Sequence, residues 1–332
     1  MTQHDILPST PDDEILLTNL RAKSWDEFIG QESITEALRL AIKAAQQRQE
    51  PIDHALLFGP PGLGKTTLSH LIAKEMGTNI RVTSGTALNK ASDLAAILTN
   101  LQPGDILFID EIHRLPKVVE ETLYPAMEDF ALDIVIGKGP SARTVRLDLP
   151  KFTIVGATTR FGLLAGPFRD RFGFVHRLQY YQPESLQQII EKAAEKLNVV
   201  IDRAAALEIG RRSRGTPRIG LKLLKRVRDF VQVNGDNIIS PDEVHHALEM
   251  FAIDRLGLDD TDRRLLKKMI IHHQGGPVGI TTIAATLNED PGTIEEVIEP
   301  YLLQIGFLKR TKQGRVVTQA AYQHLKLTYP QQ

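Results

Sequence analysis

The chain has 332 residues, 42% of them hydrophobic and 24% charged, with a formal net charge of −1. That length suggests two or three domains, and that composition an ordinary globular protein with a sizeable core rather than a polycation. There is no cysteine for disulfides or thiolate metal sites and no run of eighteen apolar residues to span a membrane. The N-terminus, with Asp5, Asp12, Asp13 and Glu14, lacks the form of a secretory signal.

Residues 1–24, with Pro8 and Pro11 in a polar context, read as a loose arm that Leu16, Leu17 and Leu20 could dock. Trp25 to Gln31 reads as a turn. Glu32 to Gln47 is a helix with Ile34, Ala37, Leu38, Ala41 and Ile42 at helical spacing. Ala55-Leu56-Leu57-Phe58 is a short buried strand. Gly59-Pro60-Pro61-Gly62-Leu63-Gly64-Lys65-Thr66 then fills the phosphate-loop pattern, and Thr67 to Lys74 is helical. A glycine-rich loop between a strand and a helix N-terminus offers unpaired N–H groups and a favourable dipole to an anion. Lys65 can reach the β- and γ-phosphates of ATP, and the Thr66 hydroxyl can complete a Mg2+ shell.

Asn79 to Thr83 is a strand and Ser92 to Leu101 a helix. Asp105 to Glu111 follows, with four apolar residues ending in Asp110 and Glu111; such a run marks a parallel sheet covered on both faces. Val118 to Glu128 is a helix expected to kink or break near Pro125. Residues 131–149 alternate around Gly137, Gly139 and Pro140 as a long β-hairpin, and Phe152 to Ala157 is a buried strand ending at Thr158-Thr159-Arg160. Phe174 to Leu178 is the last strand. The alternation predicts an open parallel α/β sheet, with ligands at the carboxyl ends of its strands.

From Glu184 to Phe251 every periodic segment is helical: Ser185–Leu197, Arg203–Ser213, Gly220–Val233 and Pro241–Ala252. After Gly257, helices at Asp262–His272, Thr281–Leu287 and Thr293–Ile305 precede two strands around Lys312-Gln313-Gly314, the pattern of a winged helix. The expected domains are therefore 1–182, 183–254 and 255–332. Two stretches are basic. Arg203–Arg228 has nine cations and only Glu208 as an acid; 300–327 has Lys309, Arg310, Lys312, Arg315 and Lys326 and no acid. A solvated face is the ordinary reading of either. Wing-borne Arg310 and Arg315 would suit phosphates, whereas Glu295, Glu296 and Glu299 make the preceding helix a poor DNA face. A winged helix used for protein contacts is the alternative.

Asp110 would hold Mg2+ directly or through water, and Glu111 can polarise an attacking water as general base. Thr158 or Thr159 can orient that water or sense the γ-phosphate. Phe168-Arg169-Asp170-Arg171-Phe172 supplies cations for transition-state charge, and Arg218 follows Gly215-Thr216-Pro217 at a helix start. A surface salt bridge is the default for either arginine alone. The histidine pairs His245-His246 and His272-His273 lack a third ligand at metal spacing.

Gly59–Thr67, Asp110-Glu111-Ile112-His113, Gly156–Arg160, Arg169–Arg171 and Gly215–Arg218, in this order and with Gly30-Gln31-Glu32 upstream, resemble the AAA+ ATPase family. The hairpin before Phe152 and the terminal winged helix narrow the resemblance to the RuvB family of Holliday junction branch-migration motors, over nearly the whole chain. The resemblance implies an ATP-hydrolysing, Mg2+-dependent cytoplasmic enzyme of DNA recombination and repair, working as a homohexamer around the duplex arms of a Holliday junction. A RuvA-type junction-binding protein would meet the 131–149 hairpin, with a RuvC-type resolvase in the same complex. It further implies a nucleotide pocket of Leu20, Arg21, Gly62, Lys65, Thr66, Thr67, Glu128, Asp129, Phe130, Tyr181 and Arg218. Thr159 would be first sensor, Arg218 second, and Arg171 a finger acting on the neighbouring copy; Arg310 and Arg315 would contact DNA. Ala22 departs from the proline usual after Leu-Arg, which touches only the stiffness of the arm. An initiator-type AAA+ protein and a non-hydrolysing ATP switch are the alternatives; an Arg171 sealed inside its own copy would contradict the motor reading.

Overall fold

The computed structural model describes residues 11–136, 143–234 and 238–330, in two compact units. The first comprises 18–185 with 216–218 and is the α/β unit; the second comprises the start of the chain with 186–215 and 219–332.

After α1 (Pro11–Leu20), which belongs to the second unit as far as Leu17, the elements of the α/β unit run α2 (Glu32–Arg48), β1 (Ala55–Phe58), α3 (Lys65–Met76), β2 (Ile80–Ser84), α4 (Ala91–Leu98), β3 (Ile106–Asp110) and α5 (Lys117–Glu128). There follow β4 (Ala131–Ile136), β5 (Arg143–Asp148), β6 (Thr153–Thr158), α6 (Gly166–Arg169) and β7 (Phe174–Arg177). Five strands form one parallel sheet in the order β2-β3-β6-β1-β7. Ile106 to Ile109 and Thr153 to Thr158 are buried throughout, which is why their sequences are apolar without alternation. Register pairs Phe58 with Thr158 and Ile109 with Gly156, so the phosphate loop, Asp110 and Thr158 leave adjacent strands at the same edge.

Two expectations are corrected here, and a third, the hairpin, is met. The N-terminal arm is helical from Pro11: Leu17 and Leu20 are buried, and the buried Asp13 pairs with Lys225, a partner more than two hundred residues away. Helix α5 runs unbroken through Pro125, because only the bond that Pro125 would donate to Glu121 is lost while Val119, Leu123, Ala126 and Met127 hold the buried face. The hairpin forms as β4 against β5, with Ala131 opposite Asp148 and Ile136 opposite Arg143; its turn, with Gly137, Gly139 and Pro140, lies outside the described residues.

The second unit continues with α7 (Pro183–Lys196), β8 (Val200–Ile201), α8 (Arg203–Arg212), α9 (Pro217–Asn234), β9 (Ile238–Ile239) and α10 (Pro241–Met250). The helices are as expected, but β8 and β9 add a short parallel pair that two-residue strands cannot announce by periodicity. Gly235 and Asp236, expected in a loop, lie outside the described residues. Next come α11 (Asp260–His273), α12 (Ile280–Leu287), α13 (Pro291–Thr293), a π-helical turn (Ile294–Ile298), α14 (Glu299–Gln304), β10 (Leu308–Thr311), β11 (Gly314–Val317) and α15 (Gln319–His324). Leu265, Leu266, Ile283, Ile298, Leu302, Phe307 and Val317 share one core, and β10 pairs antiparallel with β11 as the wing.

The expected single helix over 293–305 is thus interrupted. Pro300 has no N–H for the carbonyl four residues back, and the widened turn before it absorbs the missing bond.

The basic stretch 203–228 is a solvated face only in part: Arg203, Arg211 and Arg218 are exposed, whereas other cations of it turn inward. Arg212 is buried and pairs with Glu208 and His245; the part-buried Arg214 pairs with Asp259 and Asp262, and the part-buried Lys225 with Asp13. Most of these acids lie outside the stretch, so its local charge count does not reveal their pairing.

Candidate functional site: a phosphate loop and a distant arginine cluster

The loop after β1 turns at Gly62, whose φ is +78°; a Cβ there would come within 2.9 Å of the Arg218 Cβ, so only glycine fits without strain. The Arg218 N–H donates to the Gly62 carbonyl at 3.4 Å, setting the start of α9 beside the loop. Tyr181 is buried and donates its hydroxyl to the Leu63 carbonyl at 3.2 Å; burial raises its pKa. Lys65 is buried, and its Nζ donates to the Gly59 and Pro60 carbonyls at 2.8 and 2.9 Å. Burial pulls the Lys65 pKa down, opposed by the nearby Asp110 and Glu111 carboxylates. Thr66 and Thr67 stand in the first turn of α3. Thr67 and Arg21 line one side cleft of about 800 Å³ with His70 and Lys74, and Leu20 is buried beside Arg21 in the chain.

At the end of β3, the Asp110 Oδ1 accepts the Glu111 N–H at 2.9 Å. Glu111 is left-handed at φ +46°. Its Oε2 accepts from the Thr159 hydroxyl at 3.2 Å and lies 3.1 Å from His113 Nδ1. The same ring nitrogen is 2.9 Å from the buried Thr158 hydroxyl, which itself accepts the Arg160 N–H at 3.0 Å. His113, which stands in the motif Asp110-Glu111-Ile112-His113, is the residue to which sequence reasoning gave no role. The signals were its place three residues after Asp110 at a strand end and its membership of that motif. An oxygen pair from Asp110 and Thr66 has the hard-donor chemistry that Mg2+ requires, and only one Asp110 oxygen is taken by the backbone bond described.

Glu128, Asp129 and Phe130 do not join this loop. Phe130 packs against His54 and Phe152, which precede β1 and β6, with ring centroids 6.3 and 5.8 Å away. His54 Nε2 also contacts the Met127 carbonyl at 3.2 Å. These residues therefore lie at the amino edge of the parallel sheet, while the loop lies at the carboxyl edge. Arg171 belongs to the same cluster. Its Nη2 is 3.0 Å from Glu128, its Nη1 donates to the Pro167 carbonyl, and its guanidinium lies 4.2 Å over the Tyr124 ring. Its Nε is buried without a hydrogen-bond partner, and its side chain is 21% exposed: docked on its own chain but not sealed in it. Glu128, Asp129 and Phe130, expected to complete the pocket, thus lie away from the loop beside Arg171, which was expected to act on a neighbouring copy; parallel strands put their two ends on opposite edges.

In the winged helix, Arg310 and Arg315 stand opposite each other in the wing register, both bonded to Glu299.

Comparison with known proteins agrees with this layout. Three family models match consecutive segments: the P-loop domain of the Holliday junction DNA helicase RuvB over residues 20–178, the RuvB AAA lid domain over 181–254 and the RuvB C-terminal winged helix domain over 255–326. The solved structure of the Thermotoga maritima RuvB Holliday junction branch migration motor is 52% identical, with a TM-score of 0.86, covering 94% of this chain and 100% of that one. A Thermotoga maritima RuvB variant is 53% identical at a TM-score of 0.87, covering 94% and 99%.

Proposed function

Because the chain belongs to the RuvB family of ATP-driven Holliday junction branch-migration motors, we propose that it drives branch migration as a homohexameric ring on duplex DNA in recombination and repair. The observation that carries this reading is the separation of two incomplete half-sites on opposite edges of one sheet. A ring of copies would bring the Arg171, Glu128, Asp129 and Phe130 cluster of one protomer to the loop of the next. The incomplete docking of Arg171, with its buried unpartnered Nε, supports such a movement.

Lys65 would neutralise the β- and γ-phosphates of ATP. Glu111, held by Thr159 and His113, would take the proton of the attacking water, and Arg171 of the neighbour would stabilise charge on the transferred phosphoryl group. Thr66 and Asp110 would hold Mg2+, which supplies charge neutralisation at the phosphate oxygens. Thr159 and Arg218 act as first and second sensors, while Leu20, Arg21, Gly62, Thr67 and Tyr181 line the nucleotide. Arg310 and Arg315 meet DNA phosphates, and the β4–β5 hairpin meets a RuvA-type partner, with a RuvC-type resolvase alongside. The domains are 1–182, 183–254 and 255–332. No helix among the described residues is long and apolar enough to cross a membrane; the cytoplasmic placement rests on the family resemblance. The family assignment favours this over an initiator-type protein or a non-hydrolysing switch.

The test is steady-state ATP turnover with and without a synthetic four-way junction, with particle mass and junction-arm exchange measured alongside. Turnover coupled to arm exchange by ring-sized particles is expected; hydrolysis with no arm exchange, even with a RuvA-type partner present, overturns the motor reading.

A further inference from the structure

Glu299 opens α14 directly after the π-helical turn and is fully buried, at 0% exposure. Its Oε1 accepts the Nε–H of Arg310 at 2.8 Å and of Arg315 at 3.0 Å; its Oε2 accepts the Nη2–H groups of the same two residues at 2.8 and 3.2 Å. One carboxylate therefore takes four bonds from two guanidiniums, one on each wing strand and paired in register. Burial pushes the Glu299 pKa up, but the bonds and charges of Arg310 and Arg315 outweigh it and hold the carboxyl below its ordinary range. Each guanidinium is gripped by its Nε–Nη2 edge, so Nη1 stays outside the clamp. Arg310 is 51% exposed and Arg315 16%. A second carboxylate, the partly exposed Glu295, lies 3.9 Å from Arg310 and 3.5 Å from Arg315.

We propose that Glu299 is a positioning residue that holds Arg310 and Arg315 as a preformed fork for backbone phosphates of duplex DNA, and that Glu295 stands where an incoming phosphate displaces it. The proposal rests on the reading that these arginines contact DNA. It runs against simple Coulomb reasoning. A carboxylate beside a phosphate site repels DNA, so a Glu299 that acted only through its charge would weaken binding. A fork already fixed in place loses less side-chain freedom when the phosphate arrives, and that gain opposes the repulsion. Because the carboxylate is desolvated and shared by both arginines, positioning dominates at Glu299; at the more exposed Glu295, repulsion dominates.

The test is binding of the full-length protein to labelled duplex DNA across a salt series. The Arg310→Ala/Arg315→Ala protein should bind weakly and lower the salt slope by about 2, the number of phosphate contacts removed. Glu299→Gln keeps both cations and should weaken binding about tenfold at each salt concentration with the slope unchanged, the loss expected from freeing two side chains. Glu299→Asp, which retains the charge but shortens the reach, should weaken it as well. Glu295→Gln should tighten binding two- to threefold, roughly the effect of one removed exposed charge. Tighter or unchanged binding by Glu299→Gln together with wild-type binding by Glu299→Asp overturns positioning in favour of charge. A slope as low as that of the double-arginine protein also overturns it, because the wing is then no longer presented. If Glu299→Gln does not fold, the opposite signs expected of Glu299→Asp and Glu295→Gln carry the test. Unaltered binding by the double-arginine protein removes the DNA-contact reading itself, an outcome distinct from failure at Glu299 alone.

Discussion

At Glu111 a side chain that would carry proton transfer sits on a backbone that few non-glycine residues adopt, at φ +46°. Such a conformation costs on the order of 1–3 kcal/mol and persists only where the surroundings hold it. Thr159 and His113 do so here, both bonded to the same carboxylate oxygen. Glu111→Gln preserves shape and hydrogen bonding but removes the basic oxygen. It is expected to bind ATP like the parent and to hydrolyse it about 10²- to 10⁴-fold more slowly, the usual span for a general base. Single-turnover hydrolysis beside an equilibrium nucleotide-binding titration checks this; parental hydrolysis would remove Glu111 from the chemistry. Asp110 and Glu111 were legible in the sequence because two acids after an apolar strand are unusual. His113 was not, because a histidine becomes a neighbour of Glu111 only when the chain bends back beneath it.

Among the elements, α11 depends on a residue far from it in sequence. Asp259 and Asp262 cap its first turn reciprocally, each accepting the other's backbone N–H at 3.0 Å. Arg214, itself left-handed at φ +52°, donates to both carboxylates at 3.1 and 2.6 Å, to the Gly257 carbonyl at 2.8 Å, and lies 5.2 Å from the Tyr301 ring centroid. Burial drives the Asp262 pKa up to about 7 against the pull of Arg214. Removing Arg214 leaves a buried carboxylate uncompensated, so Arg214→Ala is expected to cost about 3–5 kcal/mol. Adding Asp262→Asn should recover part of that loss, since the orphaned charge is then gone. Urea unfolding of the single and double variants checks both; additive losses would show that the pair is not coupled.

For the whole molecule, the decisive geometry is a loop at one edge of the sheet and an arginine at the other. If those half-sites meet only between copies, Lys65→Ala and Arg171→Ala proteins should each fail alone yet regain turnover when mixed. Random pairing at equal amounts restores about a quarter of the interfaces, a simple consequence of a head-to-tail ring. Phosphate release across a mixing series measures this, and no recovery at any ratio would mean that Arg171 does not act on a neighbour.

Local order alone was enough to specify the α/β class, the phosphate loop, the acids after β3, the helical segments and the wing, since each is written in a contiguous period or motif. Tertiary structure decided the rest. It made a helix of the arm by burying Asp13 on Lys225, drew some cations of the basic stretch inward onto acids elsewhere in the chain, and set Glu128, Asp129 and Phe130 at the opposite edge of the sheet from the phosphate loop. It also buried Glu299, an acid that reads in the sequence as unfavourable to DNA, against both wing arginines. The common reason is that charge pairing and strand direction act across sequence separations that periodicity does not span.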